Sequence, residues 1–294
     1  MPTPSSSLAH FLDVIDWEQP WLTPLRTCGF GICIGTADWR HAINTIAIAH
    51  DIRNHRDHPI RFVPQSALPA DTAYEAFISD TGQIPTRENL HDFFNALIWL
   101  SFPQSKARLN ALQAAELSKA GTLSGSGKPR GAARDAATIF DENAALLVVR
   151  DGAAGQSLIA ALRAHQWQQA FMAQRLMFEA DLQVWLFGHA LVEKLVRPYK
   201  AITAHTLILM APDDFFALDA NARRAWIDRR VAVHLMAHGM TIGQLTPLPV
   251  LGVPGWCAQQ DHAFYADNAV FRPKRAPITA DDDRLALRLI KSSD

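Results

Sequence analysis

Between Pro85 and Pro103 the chain sets Leu90, Phe93, Phe94, Leu97 and Ile98 at the three- and four-residue steps of one helix face. Pro85-Thr86 opens the segment and Pro103 closes it, since proline is tolerated in a first turn and breaks an interior. So wide an apolar stripe must be covered by other elements, which rules out an isolated helix or an extended chain. The 294 residues, 49% hydrophobic and 19% charged, are enough to cover it and exclude wholesale disorder.

The surrounding pattern predicts mostly helices. A second helix follows from Ser105 to Lys119, as an antiparallel partner. Upstream, Ser7 caps a helix through Trp17, Thr36 one from Ala37 to Ile52, and Asp71 one that Gly82 ends. Ile60-Arg61-Phe62-Val63 reads as a short strand stopped by Pro64. Downstream, Ala137–Phe140 and Ala145–Val149 read as a hairpin around the turn Asp141-Glu142-Asn143-Ala144. Helices over Gln156–Ala164, Gln166–Ala180 and Leu182–Val196 come next, then a strand, Thr206–Met210. Asp219 caps a long helix to His238, with Gly239 at its C-cap. From Thr246 on, Pro247, Pro249, Pro254, Pro273 and Pro277 predict an extended wrap anchored by a buried Trp256.

Strands do not alternate strictly with helices, so the expectation is one α+β domain, residues 1–294, predominantly helical, with a small sheet or hairpin. The glycine-rich run from Gly121 to Gly131 breaks all periodicity. The loop 119–133 is therefore the one internal boundary, and the segment from Leu117 to Ala133 is expected to be mobile.

Charge and cysteine content narrow the class. Twenty-eight basic against 29 acidic side chains leave no global field for nucleic acid or anionic lipid, and Asp219 and Asp228 interrupt the basic helix carrying Arg223, Arg224, Arg229 and Arg230. The N-terminus carries Asp13, Asp16 and Glu18 where a signal peptide needs an apolar run, and no stretch is long enough to span a bilayer. A cytoplasmic address without membrane or nucleic-acid partners is expected. Three cysteines are too few for a disulfide framework.

Several segments carry a resemblance. They are Pro85–Leu97, Arg134–Asn143, Phe187–Lys194 and Pro247–Trp256, with Val270-Phe271-Arg272-Pro273 near the end. Together, over roughly residues 60 to 275, the chain resembles a proteobacterial family catalogued as domain of unknown function 3025. The resemblance implies a bacterial domain and brings no activity or catalytic residue.

Chemistry therefore rests on the residues. His91 and Asn95 share a helix face, with Asp92 one step round, and His189 and Glu193 repeat the four-residue spacing on another helix. An imidazole one turn from a carboxylate is a metal-ligand pair or an oriented acid–base pair. Two such helices face to face would offer His91, His189 and Glu193 to a divalent metal, zinc or magnesium, with Asp135 and Glu142 supplying further carboxylate. Arg87 or Arg134 would hold a small anionic substrate. The resulting expectation is a hydrolase or transferase in which His91, Asp92, Asn95, His189 and Glu193 do the chemistry. In the alternative, each pair is a local hydrogen bond inside a non-catalytic binding protein. An enzyme brings these groups into one cleft; a binding module leaves them scattered.

Weaker patterns remain. Gly127-Lys128 lacks the glycine, the hydroxyl residue and the flanking strand of a phosphate-binding loop. Gly31-Ile32-Cys33-Ile34-Gly35 matches a cysteine nucleophile elbow without its strand, and reads better as a buried thiol in a turn. Cys28, Cys33, Cys257 and His262 would make a structural zinc site if the two ends of the chain meet, and His50, His55 and His58 form a local cluster on a polar turn.

Overall fold

Residues 144 to 149, Ala-Ala-Leu-Leu-Val-Val, are all fully buried and form the middle of the main sheet. A strand covered on both faces has no polar side to present, so it reads as an unbroken apolar run. The computed structural model describes residues 11–27, 38–122 and 131–274. In chain order its elements are α1 (Thr23–Thr27), α2 (Trp39–Ala49), β1 (Arg61–Pro64), α3 (Tyr74–Thr81), β2 (Gln83–Thr86), α4 (Leu90–Ser101), α5 (Pro103–Thr122) and α6 (Ala132–Asn143). There follow β3 (Ala144–Arg150), α7 (Ala153–Arg163), α8 (Met177–Ala180), β4 (Leu182–Leu186), α9 (His189–Lys194), β5 (Thr203–Ala211), α10 (Ala220–His238), β6 (Leu245–Pro249) and α11 (His262–Tyr265).

The main sheet has the order β4-β3-β5-β6, with β3 antiparallel to β4 and parallel to β5, and β6 antiparallel to β5. β1 and β2 form a separate parallel pair. α5 packs against α10, α3 and α6, while α4 packs against α9 and α2, and α6 against α9. The fold is a predominantly helical α+β architecture around one continuous apolar cluster. Among the described residues no helix is long and apolar enough to cross a membrane.

Capping explains where several helices start. Asn89 accepts from the Asp92 amide at 2.8 Å, so α4 begins at Leu90. The preceding Gln83–Thr86 is strand, not the helix opening expected at Pro85-Thr86. Asp38, rather than Thr36, caps α2, and Asp219 caps α10 with Gly239 at its end, as expected. Gly82 ends α3 at φ 73°, where a side chain would also collide with the Pro59 carbonyl.

Other expectations are corrected. There is no hairpin over 137–149: residues 132–143 are α6, which runs directly into β3. Ala136, Ala137 and Phe140 recur at helical spacing and are all buried, so burial of that stripe outweighs the strand-like run Thr138-Ile139-Phe140. The Asp141-Glu142-Asn143 trio is the last turn of this helix.

Leu182–Val196 is not one helix either. Leu182-Gln183-Val184-Trp185-Leu186 is taken up as β4 beside β3, and only His189–Lys194 is helical. Gln166–Ala180 is interrupted by a π-turn at Gln169–Ala173 before the short α8. Phe11 to Trp17 forms turns, and the remainder of the first expected helix lies outside the described residues.

α5 continues to Thr122 and α6 starts at Ala132, so both flanks of the expected mobile loop are helical, and residues 123–130 lie outside the described residues. The tail contributes β6 and α11. Trp256 is only half-buried against Trp21, at 6.1 Å between ring centroids, whereas Tyr265 and Phe271 are buried among aromatic rings and act as the anchors.

Candidate metal and ligand site

Gly188 decides how closely two parts of the chain approach. A Cβ there would lie 2.4 Å from the Ala144 nitrogen and 2.6 Å from the Glu142 carbonyl carbon, both backbone atoms that cannot move aside. Its φ of −67° is open to any residue, so the requirement is space. Because the chain passes flush over the junction of α6 and β3, His189 at the start of α9 sits beside Asp141 and Glu142 at the end of α6. α4 packs on α9 and adds His91 from its first turn.

The three elements thus converge. His91 Nε2 lies 3.1 Å from His189 Nε2, with the rings nearly perpendicular at 75°. Glu142 Oε2 is 3.5 Å from His189 Nε2. One ligand atom from each of His91, His189 and Glu142 lies within 4.8 Å of the others. Ligands roughly 2 Å from one cation stand about 3 to 3.5 Å apart, which two of these separations match, so the set could hold a shared divalent ion.

The opposite ring nitrogen sets the tautomer of His91. His91 Nδ1 donates to Glu193 Oε2 at 2.9 Å, which leaves the Nε2 lone pair facing the cluster. His189 is 4% exposed, and its buried Nδ1 has no hydrogen-bond partner among the described residues; the nearest charge is Asp141 Oδ1 at 3.9 Å. With His91 Nε2 turned to it as a lone pair, His189 has two states: Nε2–H donating across the 3.1 Å contact, or the proton on Nδ1 beside Asp141 and both Nε2 lone pairs open to a cation. Burial pushes its pKa down to about 4, and the imidazole is neutral at pH 7.

Glu193 therefore bonds the far side of the His91 ring, and Glu142 takes the place beside the two histidines that Glu193 was expected to fill. Asp135 is exposed on α6, seven residues before Glu142 and outside the cavity lining, so it does not join the cluster.

The cluster lies in the wall of a cavity of about 300 Å³. Asp92 is buried and spent on Arg87, accepting from its backbone N at 2.6 Å and from Nε and Nη2 at 3.0 Å each. It cannot serve as a free base. Asn95 bridges the Tyr74 hydroxyl at 3.2 Å and Lys106 Nζ at 3.0 Å. Arg87 lines the cavity; Arg134 is half-buried on α6 and is not among its lining residues.

Sequence reasoning missed the other wall. Lys106, 4% exposed, bonds Asp141 and Asn95, and Asn110 bonds Glu75. Burial acts to raise the Asp141 pKa, but Lys106 and the neighbouring His189 outweigh it and hold the carboxyl below its ordinary value. Burial and the Asp141 charge raise Glu142, and the same two causes push Glu75 up to about 7. The available signal was the stripe Lys106, Asn110, Gln113 on α5, at the same helical spacing as His91 and Asn95.

The weaker motifs do not form a second centre. Cys28, Cys33 and the glycine turn at 31–35 lie outside the described residues, and Cys257 is half-buried. His55 bonds Ser79 Oγ at 2.9 Å while His50 and His58 are exposed, so that cluster is dispersed. Among the described residues His91, Glu142 and His189 are the only such set of potential metal ligands.

Fold and site together define an α+β protein whose two histidines and one glutamate could coordinate a divalent metal beside a polar cavity. A family model described as "Protein of unknown function (DUF3025)" matches residues 60–275, and the chain belongs to that family. No match was found among curated proteins or among solved structures.

Proposed function

We propose that this protein is a metal-dependent hydrolase or transferase acting on a small polar molecule, with zinc held by His91, His189 and Glu142. One observation carries the reading: two imidazole nitrogens, each with its other nitrogen turned to a carboxylate, face each other at 3.1 Å with a carboxylate oxygen 3.5 Å away. Two lone pairs at that distance repel unless a cation or proton sits between them. Two nitrogens and one carboxylate oxygen suit zinc better than magnesium, which prefers oxygen alone.

When bound, such an ion would polarise a substrate oxygen and acidify water. The chain's own groups supply the rest. Glu193 fixes the His91 ring, and Asp141, bonded to Lys106, places its negative charge 3.9 Å from His189 Nδ1. Asn95 keeps Lys106 and Tyr74 in register along the cavity. Glu75 is poised to hold or release a proton near neutrality.

The test is zinc-loaded protein assayed against small ester, amide and phosphate substrates, with His189→Ala as control. Turnover that a chelator abolishes, zinc restores and the variant lacks is the expected result. Absence of metal uptake by the folded wild type overturns the reading.

A further inference from the structure

We propose that the Glu75–Asn110 wall of the cavity binds a cationic nitrogen group of the substrate, an ammonium or amidinium, with Asn110 Oδ1 and the Glu75 carboxylate as its acceptors. This names a substrate class for the site above and rests on that reading.

Asn110 is 2% exposed and lines the cavity. Its Nδ2 donates to the Glu75 backbone carbonyl at 2.9 Å and to Glu75 Oε2 at 2.6 Å. A backbone carbonyl can only accept, so the amide cannot be turned round, and its orientation is decided. That leaves Oδ1 buried and without a hydrogen-bond partner among the described residues. An unmet buried acceptor is costly, and a donor entering the cavity would remove that cost.

Charge says which kind of donor. The lining carries four carboxylates, Glu75, Asp92, Asp141 and Glu142, against two cations, Arg87 and Lys106. Arg87 is spent on Asp92 and Lys106 on Asp141. An ion between His91, His189 and Glu142 would balance Glu142. Glu75 alone has no ion pair among the described residues, and its bond to Asn110 is neutral. Burial first, and then the Asp141 charge, push its pKa up to about 7 against the opposing pull of Lys106 and Arg134. A hydroxyl would satisfy Asn110 and leave Glu75 uncompensated; a cationic nitrogen with several N–H groups meets both. For the same reason this wall disfavours the small anionic substrate expected from Arg87 or Arg134.

Full-length zinc-loaded protein titrated with methylguanidinium, and separately with inorganic phosphate, tests the assignment. The wild type should bind methylguanidinium in preference to phosphate. Glu75→Gln keeps an acceptor for Asn110 and removes the charge, so it should fold, retain zinc and weaken methylguanidinium by about tenfold or more. Asn110→Leu should weaken it as well. Equal affinity in wild type and E75Q, no binding to the folded wild type, or preference for phosphate overturns the proposal. Zinc content, measured on the same samples, reports separately on the metal reading: a wild type without zinc that still binds methylguanidinium in a Glu75-dependent way removes the metal and leaves the cation site.

Discussion

His91 Nε2 and His189 Nε2 stand 3.1 Å apart although they come from helices 98 residues apart in sequence. Both rings turn a carboxylate-facing Nδ1 away from the meeting point. If a metal holds the two nitrogens, Co²⁺ added to the purified protein should give visible absorption of a nitrogen- and oxygen-liganded ion. His189→Ala and Glu142→Gln should each lower the affinity by more than about a hundredfold, the upper range for losing an outer-shell partner. Unchanged cobalt affinity in both variants would exclude these ligands.

Glu193 should behave differently because it touches His91 only through Nδ1. Glu193→Gln is expected to cost about 10- to 100-fold in metal affinity while leaving the melting temperature close to wild type. Competition with a chelator of known affinity measures this. A loss as large as that of His189→Ala would make Glu193 a direct ligand.

Gly188→Ala adds one methyl group against the backbone of Glu142, Asn143 and Ala144. The clash can only be relieved by moving α9 away from α6, which separates His189 from Glu142. The variant should lose metal binding and be destabilised by about 1–3 kcal/mol or more, the usual range for overpacking. Wild-type melting and wild-type metal affinity together would show that the junction is looser than its geometry.

Stability should fall as pH rises through the Glu75 titration. The folded-state pKa is about 7 against an ordinary 4.5, so the folded chain holds this proton more tightly than the unfolded chain. The contribution is fully present below about pH 4.5 and is lost as pH rises through 7. Glu75→Gln should be less pH-sensitive over that window and gain on wild type near pH 8, as read by urea unfolding at several pH values. Parallel profiles for the two proteins would contradict it.

Asp228 of α10 accepts from the Ser105 amide at 2.8 Å, the Ser105 hydroxyl at 2.7 Å and the Gln104 amide at 3.1 Å, at the start of α5. Asp228→Ala leaves the buried Ser105 amide without its acceptor, while the Ser105 hydroxyl keeps the backbone carbonyl of residue 228 at 2.9 Å, and should cost about 1–3 kcal/mol, with Asp228→Asn milder. At the other end of the chain, Phe271→Ala should cost about 3–5 kcal/mol and Trp256→Ala clearly less, since Phe271 is buried and Trp256 is not. The reverse order would return the anchoring role to Trp256.

Local chemistry alone determined a good part of this protein. The stripe on α4, the Asp219 cap and Gly239 stop of α10, and the pairing of polar residues at helical spacing on α4 depend on neighbours within a turn or two, so they are legible in the sequence. The helix at 132–143 and the strand at 182–186 were decided elsewhere. Both segments mix strand-like and helix-like residues, and what settles them is the partner each buries against, β3 for Leu182–Leu186 and the core beneath Ala136, Ala137 and Phe140. The site follows the same division. His91, His189 and Glu193 stand out by residue type and spacing, but which nitrogen faces which depends on the approach that Gly188 permits. That Glu142 joins the histidines while Asp135 stays in water, and that Lys106, Asn110 and Glu75 line the same cavity, are facts of packing between α3, α5, α6 and α9. Spacing along one helix constrains a face; only tertiary structure, by burying that face against another, decides which polar groups meet and which proton each must carry.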